Sequence, residues 1–185
     1  MQKLSDRIDR PIVLVGVMGA GKSTVGRRLA KRLALPFVDT DTAIEDATGR
    51  PWGEVFERYG EADYRDGERR LVARIVDGEV RVISTGGGVF VDPRTRELLN
   101  SRAITVWLDA PVDVLADRTA RRDTRPLLRN ADARQRLEEL SRQEGPSYAQ
   151  AHIHVKSGGG AHHDVVDAIV AGIESYLDNA AASEG

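Results

Sequence analysis

The chain has 185 residues, enough for one domain of ordinary size, and its 27 Lys and Arg residues nearly balance its 29 Asp and Glu residues, for a formal net charge of -2. That balance argues against binding nucleic acid or an anionic membrane through the charge of the whole protein. The absence of cysteine excludes disulfides, a thiol nucleophile and cysteine metal ligands, and no apolar run approaches the ~20 residues of a membrane span. We therefore expect one cytoplasmic, monomeric domain over residues 1–185.

Short apolar runs rich in β-branched residues alternate with helical patterns along the chain. The predicted strands are residues 11–17, 36–39, 80–85, 103–109 and 152–155. The predicted helices are residues 22–33, 41–48, 52–59, 61–76, 95–100, 112–118, 131–143 and 163–177. Near-continuous apolar strands suit a parallel sheet that is covered on both faces, so the alternation predicts a three-layer, doubly wound α/β fold. Ligands in such folds sit beyond the carboxyl ends of the strands.

The first strand leads into a phosphate-loop pattern, G-x-x-x-x-G-K-[ST], with Gly16, Gly21, Lys22 and Ser23 in the required places. Glycines let several backbone N–H groups converge on one anion, and the following helix adds the positive end of its dipole. Lys22 can reach the β- and γ-phosphates of a nucleotide, and the Ser23 hydroxyl can ligate Mg²⁺. The residues expected to bind the nucleotide here are Gly19, Ala20, Gly21, Lys22, Ser23 and Thr24. The loop alone fits a kinase, a GTPase, an ATPase motor or a regulatory protein.

Two aspartates follow the second strand, which places them beside the phosphate loop. Asp39 could hold Mg²⁺ through a water molecule. Asp41 could accept hydrogen bonds from a polyol and take a proton from the attacking hydroxyl. The alternative is that Asp41 only caps the next helix, a role that aspartate performs well.

Three consecutive glycines, Gly86, Gly87 and Gly88, follow the third strand. Such a turn permits a close approach of the backbone to a ligand, although a tight turn without any contact is the alternative. A GTPase would have Asp-x-x-Gly at this point to sense the γ-phosphate, and this chain does not.

The long polar segment after residue 118 is arginine-dense and interrupted by Pro126, so we expect a mobile lid at about residues 119–132. Arg125 on such a lid could swing over the transferring phosphate and offset its charge. A solvated arginine or a nucleic-acid patch is the alternative, but the segment lacks aromatic residues for base stacking. The glycines of residues 156–160 follow a lysine, and this loop could close over a nucleotide base. Residues 178–185 predict a disordered tail.

Together these motifs resemble those of the shikimate kinases, from about Ile12 to Leu177. Membership of that family implies a five-stranded parallel sheet in the order 2-3-1-4-5. It also implies ATP, Mg²⁺ and phosphorylation of the 3-hydroxyl of the small molecule shikimate, with neither nucleic acid nor membrane as a partner.

The resemblance implies roles for several residues on the acceptor side. Asp41 stands where the family's second aspartate binds shikimate, and Gly87 where a backbone N–H reaches the substrate. Tyr64 and Arg65 resemble an aromatic–arginine pair that meets the shikimate carboxylate, with Phe56 lining the pocket and Glu68 supporting the arginine.

On the nucleotide side, Arg118 is similar to an arginine that packs against adenine, and Arg125 to the lid arginine that meets the phosphates.

One departure concerns the acceptor. The family has an Arg-x-Pro-x-Tyr pattern that binds the shikimate carboxylate, whereas this chain has Pro146 and Tyr148 in place but Glu144 at the arginine position. A glutamate there would repel a carboxylate, and Arg142, two residues earlier, is the candidate substitute. A kinase for another small polyol such as gluconate, or an ATP-binding protein without catalytic activity, are the alternative functions.

Overall fold

Five parallel strands form the central sheet of the computed structural model, which describes residues 2–122 and 131–185, with the backbone alone at residues 121, 122 and 131. The strands are β1 (Ile12–Val15), β2 (Phe37–Asp39), β3 (Val82–Ser84), β4 (Ile104–Asp109) and β5 (Ile153–Lys156). The helices are α1 (Leu4–Arg7), α2 (Lys22–Leu33), α3 (Thr40–Thr48), α4 (Trp52–Val76), α5 (Pro93–Arg102), α6 (Val112–Arg122), α7 (Ala131–Tyr148) and α8 (His162–Glu184). The strand order is β2-β3-β1-β4-β5, which confirms the predicted fold class and topology.

Strand β1 lies at the centre of the sheet. Its Ile12 is in register with Val82 of β3 on one side and with Ile104 of β4 on the other. All four residues of β1 and all three of β3 are buried, because helices cover both faces of the sheet. Helices α2 and α8 pack against each other and against β3 and β5, while α5 packs against β4 and α4.

The chain order reverses direction across the sheet at β1, since β3 and β2 lie on one side of it and β4 and β5 on the other. All strands are parallel, so their carboxyl ends meet at one edge. The phosphate loop after β1, Asp39 at the end of β2 and the three glycines after β3 therefore gather at the edge where doubly wound folds bind their ligands.

Helix α4 carries the acceptor-side residues and is kinked. The sequence predicts two helices here, and the structure joins them into one element whose Gly60 has non-helical torsions, φ 80° and ψ 167°. A small cluster of Ile44, Val55 and Tyr64 packs α3 against α4, separately from the main core. This cluster joins α3 to α4 on both sides of the kink.

Several predicted boundaries change in the structure. Helix α5 begins at Pro93 because the Asp92 side chain accepts a hydrogen bond from the backbone N–H of Arg94, at 3.0 Å, and caps it. Helix α7 continues to Tyr148 through Pro146, beyond the predicted end at residue 143. The four-residue helix α1 was not predicted.

The expected lid and tail also differ from the sequence prediction. Residues 119–122 belong to α6 and residues 131–132 to α7, so the ends of the expected lid at 119–132 are helical, and Arg125 lies outside the described residues. The prediction of a disordered tail at 178–185 is wrong, because α8 continues to Glu184. Three consecutive alanines favour helix there, and no glycine or proline interrupts the segment before Gly185.

None of the helices in the described parts of the chain is both long and apolar enough to cross a membrane.

We expect Gly26→Ala to destabilise the protein. A Cβ atom at Gly26, which is buried in α2, would lie 2.6 Å from Cε2 of Phe37 in β2, so the substitution overpacks the contact between helix and sheet. Urea unfolding should show a loss of about 1–3 kcal/mol.

The matched control is Gly67→Ala in α4, where an added Cβ would meet no atom within 4 Å. It should gain about 0.5–1 kcal/mol, because alanine favours a helix more than glycine does. Equal effects of the two substitutions would contradict the packing described for Gly26.

Candidate active site

The phosphate loop turns from β1 into α2 and surrounds the amino group of Lys22. Lys22 is only 8% exposed, and its Nζ donates hydrogen bonds to the carbonyl oxygens of Gly16 at 2.5 Å and Val17 at 3.3 Å. Burial lowers the pKa of Lys22 to about 8, against the charges of Asp41, Glu144 and Asp39, which raise it. An anion bound in this loop would therefore meet a lysine that is already positioned and poorly solvated.

Ser23 and Asp39 form the adjacent pair. The Ser23 hydroxyl donates to Oδ2 of Asp39 at 2.6 Å and lies 3.3 Å from the Ser84 hydroxyl. A hydroxyl that donates its proton to a carboxylate keeps its oxygen lone pairs for a cation, and hard divalent cations prefer such oxygens. Within residues 2–122 and 131–185, no cluster of three or more His, Asp or Glu side chains could hold a metal ion. Ser23 and Asp39 therefore remain the candidate metal pair.

Asp39, and not Asp41, caps helix α3. Oδ1 of Asp39 accepts hydrogen bonds from the backbone N–H groups of Asp41 at 2.9 Å and Thr42 at 3.3 Å. This contradicts the alternative in which Asp41 serves only as a cap. Burial, reinforced by the charge of Asp39, raises the pKa of Asp41 to about 6, while Lys22 opposes the shift. A carboxylate with a raised pKa beside a phosphate site is the expected environment of a general base.

The glycine turn after β3 contacts Asp41. A Cβ atom on Gly86 would overlap Oδ1 of Asp41 and lie 2.9 Å from its Cγ. The backbone N–H of Gly86 donates to the buried hydroxyl of Thr40 at 2.9 Å, which holds the turn against the start of α3. Only glycine fits at residue 86 in this arrangement.

The same turn contacts Arg65. A Cβ atom on Gly88 would lie 2.6 Å from Nη2 of Arg65, whereas one on Gly87 would meet no atom within 4 Å. The turn therefore contacts Asp41 at its first glycine and Arg65 at its third.

Arg65 is held in place by its neighbours on α4. Its Nη1 donates to Oε1 of Glu68 at 2.7 Å, and its guanidinium carbon lies 5.5 Å from the centre of the Tyr64 ring. Glu68 is only 4% exposed, and burial raises its pKa even though Arg65 lowers it. Phe56 packs edge-on against Tyr64, with ring centres 5.4 Å apart. The predicted aromatic–arginine pair is therefore a packed unit that aims one guanidinium at the glycine turn.

Arg118 of α6 joins the phosphate loop to the loop after β5. Its Nη1 donates to the carbonyl oxygen of Ala20 at 2.9 Å and its Nη2 to that of Gly158 at 3.4 Å. The Ser157 hydroxyl also donates to Ala20, at 3.3 Å. The glycine-rich loop at residues 156–160 thus lies against the phosphate loop, and its closure over a nucleotide base stays a prediction.

Helix α7 brings Glu144 to the site and leaves Arg142 outside it. Glu144 is partly buried and close enough to Lys22 for its charge to raise that lysine's pKa. Arg142 is exposed, and residues two apart in an α-helix lie about 200° apart around its axis. The helix continues past both residues to Tyr148, so its end is not irregular at this point. The expectation that Arg142 replaces the missing arginine is therefore wrong.

The structure brings together most of the predicted site at the carboxyl edge of the sheet. The residues that converge are Gly19, Ala20, Gly21, Lys22, Ser23 and Thr24 of the phosphate loop and α2, then Asp39, Asp41, Arg65, Gly86, Gly87, Gly88 and Arg118. Sequence analysis missed Thr40, whose hydroxyl holds the glycine turn. Its one sequence signal is its position between two candidate aspartates.

Comparison with known proteins gives a consistent result. The family model described as shikimate kinase matches residues 18–174. A shikimate kinase of Novosphingobium aromaticivorans is 47% identical over 181 residues, which cover 96% of this chain and 94% of that protein. One of Caulobacter vibrioides is 50% identical over 161 residues, 87% of this chain and 80% of that protein.

Comparison with solved structures points to the same family. Shikimate kinase from Acinetobacter baumannii in complex with shikimate superposes with a TM-score of 0.83 at 36% identity, covering 94% of this chain and 98% of that one. A gluconokinase from Sinorhizobium meliloti reaches a TM-score of 0.65 at 20% identity, over 97% of this chain and 99% of that one, which shows a shared fold only.

We expect Asp41→Asn to stabilise the protein at pH 8 but not near pH 4. The pKa of Asp41 is about 6 in the folded protein, against 3.8 for an unperturbed aspartate. The folded state therefore binds more protons than the unfolded state between these pH values, and the protein loses stability as the pH rises through them. The neutral amide of asparagine does not ionise, so above pH 6 the variant should gain about 1–2 kcal/mol in free energy of unfolding. This figure allows for the partial solvent exposure of Asp41.

Thermal unfolding at pH 4 and pH 8 measures the difference. Asp46→Asn, at an exposed position of the same helix, is the matched control and should leave the pH dependence unchanged. A stabilisation by Asp41→Asn of the same size at both pH values would contradict the raised pKa.

Proposed function

This chain belongs to the shikimate kinase family, and we propose how its site carries out the ATP-dependent phosphorylation of the shikimate 3-hydroxyl, which yields shikimate 3-phosphate and ADP. One observation carries the assignment of the residues. The glycine turn at Gly86–Gly88 contacts Asp41 and Arg65, while the charge of Asp41 reaches Lys22. Asp39 also accepts hydrogen bonds from the Ser23 hydroxyl, next to Lys22, and from the backbone N–H of Asp41, which supports a common gap for the acceptor groups and the phosphate site.

We assign ATP to the phosphate loop. The backbone N–H groups of residues 19–24 and the positive end of α2 would bind the β- and γ-phosphates, and Lys22 would exchange its two carbonyl partners for phosphate oxygens. Phosphate charge would raise the lowered pKa of Lys22, so the bound lysine is protonated. Arg118, which lies against the phosphate loop and Gly158, would contact the adenine.

The donor set of Ser23 and Asp39 fits Mg²⁺, because it consists of hard oxygens. Ser23 would ligate the ion directly while donating its proton to Asp39, and Asp39 would act through a water molecule. When bound, the ion supplies positive charge that offsets the charge developing on the phosphates.

Asp41 would orient the attacking hydroxyl and take its proton. Its carboxylate is mostly ionised at neutral pH, since its pKa is about 6, and it is freed from helix capping by Asp39. A base with a pKa close to the working pH is effective in proton transfer. Phosphoryl transfer depends mainly on positioning and charge, so this proton transfer assists rather than dominates.

Arg65 would bind the shikimate carboxylate. Glu68 holds one side of the guanidinium, and Tyr64 packs against it, so the group is oriented before the acceptor arrives. The N–H of Gly87, in the turn between the two side chains, would contact the ring.

Arg125, which lies outside the described residues, stays assigned by sequence alone to the transferring phosphate. The near-balance of charge supports the expectation of a cytoplasmic enzyme without nucleic-acid or membrane partners. A monomeric state is also expected.

The acceptor is tested by ADP release with shikimate, quinate, gluconate or no acceptor. We expect turnover with shikimate far above the other three conditions.

Asp41→Asn should reduce kcat with shikimate by about 100-fold or more and leave ATP binding unchanged, because it removes the base and not the phosphate site. Asp46→Asn is the matched control. Near-normal turnover of Asp41→Asn would refute its role, and equal ADP release in all conditions would refute the shikimate assignment.

Arg65→Ala should raise the KM for shikimate by about 30-fold or more while changing the KM for ATP little, because one charge-assisted contact to the carboxylate is lost. Steady-state kinetics with each substrate varied in turn separates the two constants. Arg70→Ala, at an exposed position of the same helix, should change neither. A parallel rise of both constants in Arg65→Ala would mean that Arg65 only supports the structure.

A further inference from the structure

We propose that Glu144 is a specificity-determining residue of the acceptor site, whose negative charge weakens binding of an acceptor carboxylate relative to an uncharged analogue. This inference rests on the proposed function, since it concerns the carboxylate of the same acceptor. The role proposed above for Arg65 makes no use of Glu144, although this glutamate lies in the same site.

Glu144 is fixed in its position by a rigid neighbour. Its Oε2 accepts a hydrogen bond at 2.8 Å from the hydroxyl of Tyr148, one turn later in α7. Tyr148 is only 2% exposed, and its ring stacks against Phe90 and Trp107, with ring centres 6.4 Å and 6.1 Å away. Because Tyr148 is firmly packed, its hydrogen bond keeps the Glu144 side chain beside the site and away from solvent.

Stacking of Tyr148 on Phe90 places Glu144 near the glycine turn, because Phe90 lies two residues after Gly88, which contacts Arg65. Glu144 raises the pKa of Lys22, so its charge reaches the phosphate end of the gap. The charge of Arg65 in turn reaches the hydroxyl of Tyr148, to which Glu144 is bonded. An anion placed on Arg65 therefore lies within electrostatic reach of Glu144.

The balance of charge on this side of the site is unfavourable for an anionic acceptor. Among the described residues, four carboxylates, those of Asp39, Asp41, Glu68 and Glu144, act on the cations Lys22 and Arg65. Glu68 already pairs with Arg65, and Lys22 serves the phosphates. For any two like charges roughly 8 Å apart, an effective dielectric constant near 20 to 40 gives a repulsion that lowers affinity by about 5- to 30-fold, which sets the size of effect that the proposal predicts.

A purely structural role for Glu144 predicts a different result. If Glu144 served only as the partner of the Tyr148 hydroxyl, its charge would not matter to the acceptor. Glutamine retains an oxygen that accepts the same hydrogen bond and removes only the charge. The distinction between an anionic and an uncharged ligand then separates the two roles.

The test compares Glu144→Gln with Glu139→Gln, which makes the same change of charge at an exposed position of α7. Calorimetric titration measures the Kd of shikimate and of its carboxamide, which keeps the ring hydroxyls and lacks the charge. Glu144→Gln should bind shikimate about 5- to 30-fold more tightly than the unaltered protein and change the Kd of the carboxamide by less than about 2-fold. Glu139→Gln should change neither Kd. Glu144→Ala, which also removes the hydrogen-bond acceptor, should tighten shikimate binding in the same direction.

An unchanged Kd of shikimate in Glu144→Gln, or an equal change for both ligands, would overturn the inference. Weaker binding of both ligands would assign Glu144 a structural role and would also overturn it. ADP release measured on the same samples keeps the two proposals apart. Absence of shikimate-dependent ADP release from the unaltered protein would refute the proposed function, while the comparison of the two ligands would still decide for or against Glu144.

Discussion

The site depends on the absence of side chains at Gly86 and Gly88. The space that a Cβ atom would need at each position is taken by a functional side chain, Asp41 at the first and Arg65 at the second. These two residues come from different helices, α3 and α4, and each approaches the backbone of the turn after β3. The hydrogen bond from Gly86 to Thr40 then fixes the turn. A methyl group at either glycine would displace Asp41 or Arg65, the residues proposed as base and as acceptor-binding cation.

The site also concentrates charge that the fold does not fully compensate. Burial lowers the pKa of Lys22 and raises the pKa values of Asp41 and Glu68, so each of these charged forms costs stability in the free protein. Bound phosphates would complement Lys22, and a hydroxyl donor would complement Asp41. Such an arrangement gives up stability in the free state for groups that are already oriented when the ligands arrive, a common exchange at catalytic sites.

The sequence predicted the features that depend on local pattern. The phosphate loop, the start of α2 and the alternation of strands and helices follow from glycine positions and apolar runs, whereas the strand order came from the family resemblance. The sequence did not predict that Asp39 caps α3, because Asp39 and Asp41 have the same side chain. Asp39 takes the capping position because β2 ends at this residue. The position of Arg142 was not predictable for a similar reason. The sequence pattern predicts a helix end at residue 143, and the side of α7 on which Arg142 lies follows only from a helix that continues through Pro146.

The acceptor half of the site rests on less packing than the nucleotide half. The phosphate loop follows β1, whose residues are fully buried at the centre of the main core. Helix α3 and the part of α4 before the kink contribute only Ile44 and Val55 to the small cluster with Tyr64. Segments with few buried contacts open at lower free energy than the core of the same protein. The kink at Gly60 divides α4 beside this cluster. Arg65 lies after this kink, in the part of α4 whose Val72 and Val76 belong to the main core. The part of α4 that can adjust at little cost is therefore the one before Gly60, which carries Phe56, and Arg65 stays oriented while that part moves.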